Sequence, residues 1–110
     1  MDHRFKVALS KALQLPNSEK KDVVVFERGS LTVEIYRPLG NDEQQPHTRD
    51  ECYVVISGTG TYSVDGELID FAPGDFLYAP AGVEHRFETF SEDFVTWVIF
   101  YGPEGGEKTA

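Results

Sequence analysis

One cysteine, Cys52, is all the chain has, so no disulfide can close within it, which suits a reducing compartment. Long apolar runs are missing too: none approaches the ~20 residues that a membrane helix requires. The opening "MDHRFKVALSKALQLP" carries scattered charge and no apolar centre of the signal-peptide kind. A cytoplasmic protein with no membrane partner is therefore expected. Basic residues are scarce: 10 Lys and Arg stand against 19 Asp and Glu, a net charge of −9. That balance repels polyanions, so a nucleic-acid partner is not expected either. Histidine is rare, at three residues, so the placement of each carries weight.

What remains is enough for one domain. A chain of 110 residues can bury a core without disulfides or a structural metal. "VALSKALQL" sets Val7, Leu9, Ala12, Leu13 and Leu15 at helical spacing and Pro16 ends it, which predicts a short helix or arm over residues 1–21. Strand signals then follow one another. "DVVVFER" covers 22–28, and "SLTVEIYRP" covers 30–38 with Leu31, Val33 and Ile35 on one face and Thr32, Glu34 and Tyr36 on the other. "ECYVVIS", "GTYSV", "GELIDF", "DFLYAP", "VEHRFET" and "FVTWVIFY" complete the series. Asp65-Gly66 predicts a two-residue hairpin turn. About eight short strands and no repeated helical pattern give an all-β sandwich or barrel over 22–101, with 102–110 as a flexible Gly-rich tail. "GTGTYS" lacks the third glycine and the following helix of a dinucleotide loop, and reads as a turn.

Gln45 and His47 are two residues apart, so on a strand they point the same way. Glu51 cannot join them on a straight strand, because four residues at ~3.3 Å would carry it ~13 Å away. A reversal at "TRD", residues 48–50, would return Glu51 opposite His47. In "VEHRFE", Glu84, Arg86 and Glu88 share a charged outer face, so His85 and Phe87 point inward. A lone inward histidine is commonly a core residue with a satisfied hydrogen bond; the two segments have to be read together.

Read so, they resemble the cupin superfamily. Its first motif places a histidine, three or four residues, glutamate, six residues and glycine; His47, Glu51 and Gly58 hold that spacing. Its second places glycine, five residues, Pro-x-Gly, two residues and histidine; Gly74, Pro80, Gly82 and His85 match without an insertion. The resemblance covers about residues 22–101. Gln45 stands where the family has its first histidine, Gly40 is one residue too close, and Thr89 replaces the closing asparagine. The resemblance implies a small single-domain jelly-roll barrel (a double-stranded β-helix) with one divalent metal ion held by His47, Glu51 and His85 and by Gln45 as a fourth, weaker ligand. Two histidines and one carboxylate hold non-haem Fe(II) with open positions; Zn, Mn, Ni or Co fit the same donors. It further implies a metal-dependent enzyme on a small organic molecule, with dioxygenase-type chemistry favoured. The alternatives are a sugar isomerase or epimerase and a non-catalytic small-molecule-binding cupin. A homodimer is expected from the resemblance and from the apolar "DVVVFE" edge.

Tyr53, Val55 and Phe87 share the faces of the ligands and are candidates to line the substrate space; Arg49, beside its mouth, could pair with an anionic substrate. Cys52 faces the other way and reads as a buried, inert thiol. Asp42, Glu43 and Asp50 read as a solvated acidic rim, and His3 as a solvated arm residue.

Overall fold

The structure, a computed structural model, describes residues 5–109; His3 lies outside them. A one-turn helix, α1 (Leu9–Ala12), precedes eight strands: β1 (Asp22–Arg28), β2 (Leu31–Tyr36), β3 (Asp50–Ser57), β4 (Gly60–Val64), β5 (Glu67–Phe71), β6 (Phe76–Ala79), β7 (His85–Phe90) and β8 (Val95–Tyr101). They form two antiparallel sheets, ordered β1-β2-β8-β3-β6 and β5-β4-β7. Among the described residues no helix is long and apolar enough to cross a membrane.

The sheets face each other across an aromatic core. Tyr53 from β3, Tyr62 from β4, Phe71 from β5 and Phe87 from β7 are all buried in it. Phe87 is its hub, with ring centroids 4.9 Å from Tyr53, 5.1 Å from Tyr62 and 4.7 Å from Phe94. Offset and edge-on pairs at these distances add to the apolar burial. Asp65 and Gly66 both have positive φ, 51° and 81°, and close the β4–β5 hairpin as their sequence predicts. Gly60 is required where β4 meets β7: a Cβ there would stand 2.0 Å from the Thr89 carbonyl oxygen.

Both faces of the larger sheet are covered. Val25, Ile35 and Val95 pack on its outer side with Ala12 of α1, so the N-terminal arm acts as a lid on that face. This determines which way β2 turns. Its apolar face meets the arm, and the face carrying Glu34 and Tyr36 turns inward beside Val98 and Phe100 of β8. The alternation in the sequence is right; the more polar side is the one that looks into the barrel.

The segment after β8, expected to be a flexible tail, is tied down as far as Glu107. Gly102 N–H donates to Ser30 Oγ at 3.2 Å, Gly105 N–H to the Thr48 carbonyl at 2.6 Å, and Glu107 N–H to Asp50 Oδ2 at 2.8 Å. Asp50 also accepts from Ala81 N–H at 3.0 Å and is buried. These two amide bonds hold its carboxyl below the usual aspartate range despite burial. Asp50 is thus an internal anchor and not part of a solvated rim.

Candidate metal centre

Three side chains converge at the mouth between the sheets: His47, Glu51 and His85, each with one ligating atom within 4.8 Å of the others. Each arrives by a different route. Glu51 sits near the start of β3, which is paired on both sides, to β8 through Phe100 and to β6 through Ala79. His85 opens β7, and the alternation that puts Arg86 and Glu88 outward puts its ring inward. His47 comes from a loop. Residues 37–49 form no strand, and the loop is held by the Gly82 N–H, which donates to the His47 carbonyl at 2.7 Å. The Phe100 ring props the His47 imidazole edge-on at 4.9 Å.

The reversal before Glu51 therefore occurs, but without the hairpin that the sequence suggested. Pro46 withholds an N–H and no partner strand forms, so the argument that Gln45 and His47 share a strand face does not apply. Gln45 is exposed. Its neighbour Gln44 points inward instead, donating from Nε2 to Asp42 Oδ2 at 2.8 Å and accepting from the Tyr53 hydroxyl at 3.1 Å. Both polar atoms of that amide are engaged.

Glu51 Oε1 lies 3.0 Å from His85 Nε2 and 3.6 Å from His47 Nε2. The shorter separation is within hydrogen-bond range, yet it is not aligned as a hydrogen bond. Both Glu51 oxygens and His85 Nε2 are buried without a hydrogen-bond partner among the described residues. A buried carboxylate with no aligned donor is costly unless a positive charge beside it compensates. Two donors each about 2.1 Å from a shared ion, at angles of 90–109°, sit about 3.0–3.4 Å apart, which is close to the spacing seen. His85 is prepared for such a role: its Nδ1 meets the Val83 carbonyl at 2.9 Å, which holds the proton on Nδ1 and aims the Nε2 lone pair at the site. For the protein alone, burial pulls the His85 pKa down, but the Glu51 carboxylate, the Val83 carbonyl and Asp42 outweigh it and hold it above the ordinary value. The donor set and its orphaned atoms fit one divalent cation.

Beside the group opens a cavity of about 390 Å³, walled by Asp22, Glu34, Tyr36, Gln44, His47 and Phe100 among others. Tyr53, Val55 and Phe87, expected as lining, do not reach this cavity; they are fully buried beneath the ligands as core. Burial and the nearby Glu51 push the Tyr53 phenol well above its usual range. Arg49 is not free to meet a substrate. It donates to the Ser30 carbonyl and to Thr32 Oγ1 at 3.3 Å, lying 5.9 Å from the Phe100 ring centroid. Cys52 is buried on the opposite side of β3 as expected, its thiol pushed up by burial and by Glu51. Glu34 and Tyr36 could not be singled out from the sequence, because alternation separates the two faces of β2 without saying which one looks into the barrel. Asp42, read as rim, is buried at 5% exposure.

The sequence matches the Cupin domain family over residues 32–101. It is 44% identical over 63 residues to a Streptomyces coelicolor protein, covering 57% of this chain and 60% of that one. It is 31% identical over 112 residues to an acireductone dioxygenase of Leishmania infantum, covering 86% of this chain and 33% of that enzyme. The chain thus spans only part of either relative's length. The crystal structure of a cupin-2 domain protein from Shewanella frigidimarina superposes with a TM-score of 0.69 at 19% identity, covering 87% of this chain and 94% of that one, a likeness of fold. Two facing antiparallel sheets, a mouth holding two imidazoles and a carboxylate, and a match running from β2 through β8 all lead to one conclusion: this chain belongs to the cupin domain family.

Proposed function

We infer that this protein is a metal-dependent enzyme that acts on a small organic molecule at the barrel mouth, with dioxygenase-type chemistry the favoured reaction. The observation that carries this reading is the set of orphaned buried atoms, Glu51 Oε1 and Oε2 and His85 Nε2, converging with His47. A bound divalent ion would supply Lewis acidity and open positions for dioxygen and substrate together. His47, Glu51 and His85 would hold it. The Val83 carbonyl keeps the His85 proton on Nδ1. The aromatic core below the ligands keeps bulk water from the inner side, and the cavity of about 390 Å³ admits a compact substrate from the outer side. The similarity to acireductone dioxygenase supports the same direction.

The cavity wall argues against phosphosugars. Asp22, Glu34 and Glu43 line it, with Lys21 as the one lysine or arginine among the described lining residues. A doubly charged phosphate would meet repulsion there. A cytoplasmic setting suits the buried free Cys52.

Elemental analysis of the purified protein, beside His85→Ala, tests the metal; oxygen uptake over a panel of small enols, thiols and phenols tests the reaction. The expected result is near-stoichiometric divalent metal that His85→Ala loses, with oxygen consumed on at least one enol. Protein that neither carries nor takes up metal overturns the whole reading. Iron-loaded protein that consumes no oxygen with any of the panel overturns the dioxygenase part.

A further inference from the structure

The loop over residues 37–49 carries one ligand and much of the cavity wall, and it has no strand pairing to hold it. Its far end is held at the His47 and Thr48 carbonyls, and its middle is anchored by Asp42. The Oδ1 atom accepts from the Tyr36 hydroxyl at 2.5 Å and from the Gln44 backbone N–H at 3.2 Å. The Oδ2 atom accepts from Gln44 Nε2 at 2.8 Å and from the Phe87 backbone N–H at 2.8 Å. Four donors around one buried carboxylate satisfy all its acceptor positions.

The donors belong to separate segments. Tyr36 ends β2, and Phe87 lies two residues beyond His85 on β7. Gln44 passes the connection on, since it accepts from the hydroxyl of Tyr53, two residues beyond Glu51 on β3. Its carbonyl also meets Arg86 of β7 at 3.4 Å. One side chain is therefore bonded, directly or through Gln44, to every segment that carries a candidate ligand.

We propose that Asp42 is the positioning residue of the metal centre, locking the His47 loop against the strands of Glu51 and His85 so that the three ligands converge. The proposal rests on reading that group as a metal centre. Asp42 makes no hydrogen bond to any of the three ligand side chains; beside the pull of its charge on His85 it acts through the backbone of β7 and through Gln44.

Asp42→Asn keeps the size of the side chain but turns one acceptor into a donor. In either amide orientation a backbone N–H, of Gln44 or of Phe87, loses its acceptor. The control is Val25→Ala, which trims the cluster on the outer face of the sheet, away from the network. Two readouts are compared: Co(II) affinity by titration, and the imidazole nitrogen resonances of His47 and His85 in metal-free protein. Asp42→Asn is expected to weaken Co(II) binding about 10–100-fold, the range for lost partners of metal ligands, and to displace both imidazole signals. Val25→Ala, though less stable, is expected to bind Co(II) like the parent and to leave both signals in place. Asp42→Asn that binds like the parent, or Val25→Ala that loses as much, overturns the proposal. A parent that binds no Co(II) instead overturns the metal reading, and the imidazoles then decide alone: signals moved only by Asp42→Asn support the positioning role, and signals left unmoved overturn it.

Discussion

Glu34 gives the sharpest quantitative prediction. It faces the cavity, where burial first, then the Asp22 carboxylate, then Glu51 and Glu27, raise its carboxyl from 4.5 to about 7. The native state therefore holds this proton more tightly than the unfolded chain does. Stability from this group is fully present below pH 4.5 and is lost as pH rises through about 7. The full shift corresponds to a ceiling of about 3 kcal/mol, and solvent at the cavity mouth reduces that to about 1 kcal/mol. Glu34→Gln removes the charge and with it the loss. Urea unfolding of metal-free parent and variant, from pH 5 to pH 8, is the assay. At pH 8 the variant should be the more stable by about 1 kcal/mol, a melting shift of about 4 °C, and the gap should close towards pH 5. A gap that stays constant with pH, or one that favours the parent at pH 8, refutes the reasoning.

Zinc or cobalt at about 100 times its dissociation constant should stabilise the parent by about 2.7 kcal/mol, while His85→Ala should show no such rise in a thermal-shift titration. Gly60→Ala should cost about 3 kcal/mol or more, because its Cβ would collide with the Thr89 carbonyl; unfolding midpoints near the parent's would contradict the close approach of β4 and β7. Phe87→Ala should cost about 3–5 kcal/mol by emptying the centre of the aromatic core, and a loss below about 1 kcal/mol would show that the residue is not the hub. Light scattering at micromolar concentration should give a dimer mass, consistent with an outer edge of β1 that pairs with no strand among the described residues and with its exposed Val24; a monomer mass removes that expectation.

The strands were readable because period-two alternation survives along most of each ladder, interrupted at the bulges between Val24 and Phe26, Val55 and Ser57, and Thr61 and Tyr62. Residues 22–28 form β1 with the bounds expected, and Asp65-Gly66 turns as only a pair tolerant of positive φ can. His85 was legible for the same reason: charged neighbours on one face of a strand force the next residue inward. The loop over residues 37–49 obeys no such rule. Gln45 was placed by strand parity in a stretch that is not a strand, whereas Gln44 is the residue turned inward. Asp42 looked solvated because it stands in a polar run, and its burial depends on a donor 45 residues away in Phe87. Parity puts Phe87 and Tyr53 on the ligands' side of their strands, but it cannot separate the mouth from the packed floor, where both residues lie.

The segment beyond Tyr101 belongs to no strand, and a shortened version ending there is a natural choice for biochemical work. Its amides, however, clasp Thr48 and Asp50, the immediate neighbours of His47 and Glu51. Trimming it would unbuckle the entrance from outside, so a preparation clipped between Tyr101 and Glu107 should be discarded before any metal is weighed.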